Sequence, residues 1–186
     1  GTVLVDGVNI THVDPADLRR HIGLAGQNAR LFYGTIRENL CLGAPNARDE
    51  ELIAALERTG TWEFIRAMPE GLDRQIQEGG IGLSGQRQAI ILSRLLLREP
   101  SVILLDEPTA ALDETAEQKV LSALSELAGE TTLVVATHKP SILALVDRLL
   151  VVSNGKIIMD GPRDTILTRL RKGEALVAGK REVKVQ

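Results

Sequence analysis

The chain's 186 residues are 44% hydrophobic and 25% charged. That is enough apolar material for one domain with a sizeable core, and it excludes disorder over most of the length. The 25 Asp and Glu outnumber the 22 Lys and Arg, which excludes a whole-chain basic footprint for nucleic-acid backbones, so no nucleic-acid partner is expected.

In chain order, Val3, Leu4 and Val5 lead into Asp6-Gly7, a favoured tight turn, and Val8 and Ile10 come after it, so the chain opens on a predicted β-hairpin. No basic region followed by an apolar block stands there, so it does not read as a signal peptide. It also lacks an initiator Met, as a piece of a longer polypeptide would. Asp14-Pro15 predicts a short helix capped by Asp14, with Leu18 facing inward. Ile22 to Ala25 reads as a short strand ending at Gly26-Gln27. Thr35 with Glu38 fits a capping box. A helical region runs from Asp49 to about Met68, broken at Thr59-Gly60 and closed by Pro69-Glu70-Gly71. Cys41 is the single cysteine, which rules out an intramolecular disulfide and favours the cytosol.

The second half alternates. A long helix is predicted from Gln86 to Arg98, stopped by Glu99-Pro100. Val102 to Leu105 is an aliphatic strand, buried on both faces if it lies inside a parallel sheet. Glu114 to Leu127 places Ala116, Val120, Leu121, Leu124 and Leu127 on one helical face. Leu133 to Ala136 reads as a second buried strand, Pro140 opens another helix, and Asn154-Gly155 joins a hairpin of Leu149–Val152 and Lys156–Met159. This order implies right-handed crossovers in a mainly parallel α/β sheet. No stretch approaches the ~20 apolar residues of a membrane span; the most apolar run, Ala89 to Leu97, contains Ser93 and Arg94. From Arg169 to Gln186 the chain carries six basic and two acidic residues, which reads as a solvated basic tail, disordered by composition, or as a contact for an acidic partner or membrane surface.

Three stretches carry chemistry. Val102 to Leu105 followed by Asp106 and Glu107 puts two carboxylates at the C-terminal end of a strand, the edge where open α/β sheets bind ligands. One can hold Mg²⁺ and the other orient a water beside a phosphate; the same pair also suits the cap of a turn. Leu83-Ser84-Gly85-Gln86 opens a helix, where outward amides and the helix dipole form an anion site, or where Ser84 is a plain N-cap. His138 comes after the strand ending at Ala136 and is either structural or a donor to a phosphate. Gln27, a polar amide after a strand, completes the set.

Together these residues resemble the nucleotide-binding domain of an ABC transporter. Gln27 matches the family's Q-loop glutamine, and Leu83-Ser84-Gly85-Gln86 its signature sequence, which faces ATP across a dimer. Asp106 and Glu107 match the Walker B metal-site aspartate and catalytic glutamate, Ala111-Leu112-Asp113 the D-loop, and His138 the switch histidine. Leu31 to Leu40 is similar to the segment after the Q-loop in exporters, and Glu78-Gly79-Gly80-Ile81-Gly82 to bacterial type I secretion ATPases. The resemblance implies a P-loop-NTPase-like α/β fold over residues 1–168, with a helical subdomain at about 35–98 and a peripheral antiparallel β portion. It implies ATP and Mg²⁺, a second nucleotide-binding domain and a transmembrane domain as partners, the latter docking around residues 28–68. It also implies a location at the cytoplasmic face of the plasma (inner) membrane.

The sequence departs from the family twice. Gly-x4-Gly-Lys-Ser/Thr is absent; the nearest approach, Gly173 to Lys180, has five intervening residues and Arg181 where a hydroxyl belongs. The family's loop precedes the hairpin, so the chain is expected to begin after it and to be inactive alone. The signature has one glycine, Gly85, where the family has two; the missing residue rotates the downstream helix by about 100° or tightens the loop. A degenerate module that only pairs with a complete ATPase is the alternative. Chromosome-organising and repair ATPases, which share the Walker B and signature motifs, fit the segment 31–40 poorly.

Overall fold

The computed structural model describes residues 1–80, 83, 86–127, 129 and 131–172. They fall into two compact units, Gly1–His138 and the chain from Lys139 onward. In the first, β1 (Leu4–Val5) and β2 (Val8–Asn9) pair antiparallel. Asp6 and Gly7 between them both sit at positive φ, 48° and 78°, the hand a two-residue hairpin turn requires. The second strand stops short of Ile10, because the Asn9 side chain accepts from Thr11 N–H at 3.0 Å and starts a 3-10 turn instead. Asp14 caps α1 (Pro15–His21), accepting from Ala16 N–H at 2.7 Å, and Leu18 is the one half-buried residue of that helix.

The central sheet is parallel. β3 (Ile22–Ala25), β6 (Val102–Asp106) and β7 (Thr132–Ala136) lie in the order β3-β6-β7, with Leu24 beside Leu104 and Leu104 beside Val134. Between β3 and β6 the chain makes β4 (Gly34–Thr35), α2 (Ile36–Cys41), α3 (Asp49–Arg58), α4 (Trp62–Arg66), β5 (Gln75–Ile76) and α5 (Gln86–Leu96). β4 pairs antiparallel with β5. The capping box on α2 is complete: Glu38 N–H donates to Thr35 Oγ1 at 3.0 Å and Thr35 N–H to Glu38 Oε2 at 2.7 Å. Arg37 ties this helix to Asp73 at 2.8 Å and to Asp49, and the guanidinium holds the Asp73 carboxyl below the usual range.

α5 is the core helix; Ala89, Ile90, Ile91, Leu92, Leu95 and Leu96 are all buried. It packs on β3 so closely that a Cβ at Gly23 would collide with Leu95 and Pro100, which is why glycine stands there. Ser93, which interrupts the apolar run, is fully buried and bonded: its Oγ donates to the Ala89 carbonyl at 2.9 Å and meets Thr59 Oγ1 at 2.7 Å, which meets Thr61 Oγ1 at 2.9 Å. α6 (Glu114–Glu126) connects β6 to β7 and packs on α3. It buries Val120, Leu121, Ala123 and Leu124.

The expectation that β6 and β7 are buried on both faces does not hold. Only alternate residues of β6 are buried, and β7 alternates between exposed and half-buried. α5 packs against β3, but Leu24 is 69% and Val134 52% exposed. Aliphatic composition reports tolerance of burial, not coverage.

In the second unit, Pro140–Leu145 forms a 3-10 helix, not an α-helix. β8 (Arg148–Ser153) and β9 (Lys156–Pro162) pair antiparallel across Asn154 and Gly155, at φ 49° and 72°. Arg148 grips Asp160 across this hairpin through Nε and Nη2, each at 2.7 Å. α7 (Arg163–Arg171) comes next, so the first residues of the expected tail are helical. Residues 173–186 lie outside the described residues.

Candidate active site

Three parallel strands end at one edge of the sheet, and each hands the chain to a polar residue. β3 leads through Gly26 to Gln27, β6 ends on Asp106 and continues to Glu107, and β7 leads through Thr137 to His138. Asp106 is in register with Ala136 and is exposed, as are Gln27 and His138. This edge is a product of topology, because strands that run the same way finish on the same side.

Glu107 is the best-held residue at that edge. It takes φ 48°, a left-handed conformation that costs a non-glycine residue about 1–2 kcal/mol, and the surroundings secure it on every side. Its N–H donates to the Ala136 carbonyl at 2.9 Å, and its own carbonyl accepts from Ala110 N–H at 3.2 Å. Carboxylate Oε1 accepts from His138 N–H at 3.1 Å and lies 2.6 Å from His138 Nδ1. Oε2 accepts from Thr137 Oγ1 at 3.3 Å. Burial pushes the Glu107 carboxyl up, but the His138 hydrogen bonds and charge, with Thr137, outweigh it and hold the group below the ordinary carboxylate value. Its side chain is 17% exposed and that of His138 80%. An ionised carboxylate only accepts, so Nδ1 is the donor and the Nε2 edge of the imidazole is left outward.

A cavity of about 390 Å³ opens beside this edge, lined among others by Gln27, Arg87, Gln88, Glu107 and Ala111. It brings Gln27 to the same space as Glu107. Gln88, two residues into α5, donates through Nε2 to the Glu107 carbonyl at 2.6 Å and accepts at Oε1 from Ala111 N–H at 3.0 Å. Sequence reasoning passed over Gln88 and Thr137. A signal for Gln88 existed: with Ile91, Leu92 and Leu95 it falls at i, i+3, i+4 and i+7, a polar residue heading a buried stripe. Thr137 carried none beyond its place next to His138.

The other expected site residues are placed differently. Asp113 is the N-cap of α6, accepting from Ala116 N–H at 2.8 Å. Leu83 is buried, donates its N–H to the Gly80 carbonyl at 3.0 Å and accepts from Arg87 N–H at 2.7 Å. Gln86 is half-buried and opens α5. Ser84 and Gly85 of the signature lie outside the described residues.

The family model described as ABC transporter matches residues 1–110. The chain belongs to the ABC transporter family. Among curated members of that family it is 38% identical over 168 residues to the cyclolysin secretion/processing ATP-binding protein CyaB of Bordetella pertussis, covering 90% of this chain and 24% of that one. It is also 38% identical over 168 residues to the putative multidrug export ATP-binding/permease protein YgaD of Bacillus subtilis, covering 90% and 29%. The chain therefore spans about a quarter of the length of the curated relatives it matches. The solved structure of a bacterial Atm1-family ABC exporter with ATP bound superposes with a TM-score of 0.86 at 32% identity, covering 100% of this chain and 32% of that one. The α/β architecture, with its parallel sheet and peripheral antiparallel pairs, is that of an ABC nucleotide-binding domain.

Proposed function

We propose that this chain is the ATP-binding and ATP-hydrolysing part of a membrane exporter, and that its reaction is in-line attack of water on the terminal phosphate of ATP. The observation that carries the reading is Glu107: an ionised, mostly buried carboxylate at a central strand end, with Oε1 occupied by His138 and Oε2 holding one long bond. Oε2 retains acceptor capacity for a water proton. A carboxyl held below its ordinary value is a weak base, so Glu107 orients and polarises the water, and the reaction gains mainly from positioning and electrostatics. With Nδ1 donating to Glu107, the exposed His138 ring would give a terminal phosphate a hydrogen bond from Nε2 only in its imidazolium form, in which both ring nitrogens donate.

Among the described residues no group of three or more His, Cys, Asp or Glu is placed to hold a metal. Mg²⁺ usually takes one or two carboxylates and completes its shell with water and substrate phosphates, which suits the exposed carboxylate of Asp106 at the end of β6. Asp106 and Gln27 are the residues that would hold it. Bound there, the ion would neutralise charge on the phosphate oxygens.

The names of the relatives support export, type I secretion included. A second such domain, its Leu83–Gln86 segment turned to the first domain's nucleotide, and a transmembrane domain are the partners proposed. Phe32, Tyr33 and Leu42 are exposed around a groove that includes Asn39 and Gln75. The loop is stiffened by buried Asn39, which accepts from Phe32 N–H at 2.8 Å and donates to the Phe32 and Thr35 carbonyls at 3.0 and 2.9 Å. This is the surface proposed to meet the transmembrane domain, and a location at the cytoplasmic face of the membrane is proposed with it. No helix among the described residues is long and apolar enough to cross it.

Phosphate release from Mg-ATP by the full-length protein tests the reading. Glu107→Gln, which keeps the shape and removes the charge, is expected to lower turnover at least a hundredfold. Without a phosphate-binding loop the 186 residues are expected to bind Mg-ATP only weakly when alone. The second reading is a degenerate module that only pairs with a complete ATPase; the lack of a phosphate-binding motif in the 186 residues favours it and the one-glycine signature weakens it, and unchanged turnover in Glu107→Gln would support it.

A further inference from the structure

We propose that Gln88 is a positioning residue for ATP hydrolysis, fastening the first turn of α5 to the turn that carries Glu107 and to the segment that leads into Asp113. The proposal rests on the ATPase reading and goes past it, to what holds Glu107 from behind.

Glu107 is gripped from two directions. From the sheet edge, Ala136 takes its N–H, and His138 and Thr137 take its carboxylate. From the other side its carbonyl receives Ala110 N–H, which belongs to the same turn, and Gln88 Nε2 at 2.6 Å. Gln88 is therefore the contact from outside that turn on the carbonyl side. A left-handed residue that is not glycine persists only where its surroundings over-determine it, and the Gln88 bond belongs to that over-determination.

The chemistry of the amide fits the task. One planar group offers a donor and an acceptor, and here Nε2 serves a carbonyl while Oε1 serves the Ala111 N–H at 3.0 Å. Both ends of the Glu107–Ala111 turn are thus pinned to one side chain. Glutamate would keep the acceptor and face the Glu107 carbonyl with a like charge, and methionine would fill the space with neither bond.

The helix side of the clamp is rigid. Gln88 sits on the face of α5 that continues through buried Ile91, Leu92 and Leu95. The Gln88 amide is thus a direct hydrogen-bonded link between the first turn of α5, the end next to Leu83, and the Glu107 turn. Arg87 and Gln27, which line the same cavity, touch neither end of the turn by any hydrogen bond among the described residues.

The test is steady-state ATP hydrolysis by the full-length protein, comparing Gln88→Met and Gln88→Glu with the unaltered chain, each with a melting temperature to verify folding. Gln88→Met is expected to lower kcat about tenfold or more while KM for Mg-ATP moves less than threefold, because the amide touches the support of Glu107 and not the nucleotide. Gln88→Glu is expected to lower kcat further. Amide exchange at Ala111 should accelerate in Gln88→Met. An active unaltered protein whose Gln88→Met variant keeps kcat and the amide exchange rate at Ala111 overturns the clamp and leaves the ATPase reading intact. An unaltered protein with no hydrolysis overturns the ATPase reading, and the positioning role with it.

Discussion

At Glu107, burial and hydrogen bonding pull the carboxyl in opposite directions, and His138 decides the outcome. Because the folded value is depressed, the contribution to stability is fully present above the ordinary value of 4.5 and is lost as the pH falls through the folded value. His138→Ala removes the Nδ1 bond and the ring charge while keeping the backbone N–H. The Glu107 carboxyl should then titrate at higher pH, which carboxyl-carbon NMR across an acid titration measures directly; an unchanged midpoint would mean that the imidazole is not the controlling group. Glu107 and His138 were legible in the sequence because each comes after a strand of unmistakable aliphatic character. Gln88 was not, since a glutamine near a helix start reads first as an exposed cap, and only the topology shows what lies opposite it.

At the scale of elements, local chemistry fixed the boundaries well and coverage poorly. The Asp6-Gly7 and Asn154-Gly155 turns, the Asp14 cap and the Thr35–Glu38 box are short-range devices, and each forms where its residues stand. The full burial expected of β6 and β7 failed because a strand's sequence does not say whether both faces are covered. Asp113 shows a further ambiguity: the family resemblance makes it a D-loop residue, and the structure makes its carboxylate the N-cap of α6. Asp113→Ala should cost about 1 kcal/mol of stability, as loss of a cap usually does, whereas Asp113→Asn keeps an acceptor and should cost a few tenths. Chemical denaturation gives both values. If Asp113→Asn retains stability yet loses turnover in the full-length protein, the carboxylate acts beyond the cap; if stability and turnover both persist, capping is its whole role.

Across the molecule, the described residues leave an apolar row exposed on one face of the central sheet in this 186-residue chain. Leu24, Leu104 and Val134 are neighbours in register on three adjacent strands. Strands lie about 4.8 Å apart, so the three side chains form a continuous apolar row and not scattered surface residues. The opposite face, with Ile103 and Leu105 buried, holds the core, so the row can be altered without opening it. Contiguous exposed apolar surface is what a hydrophobic dye reports. The 186-residue chain should bind anilinonaphthalene sulfonate in its folded state, and Leu24→Lys with Val134→Lys should lower that fluorescence at least twofold. Circular dichroism in the near ultraviolet, reading the environment of Trp62 in α4, verifies that the fold is kept. Undiminished fluorescence from a folded double variant would mean that the dye sits elsewhere, with exposed Leu150, Val152 and Ile157 of the β8–β9 hairpin the next surface to alter. A loss of near-ultraviolet signal would show instead that the row bears on the core, contradicting the one-sided burial seen along β6.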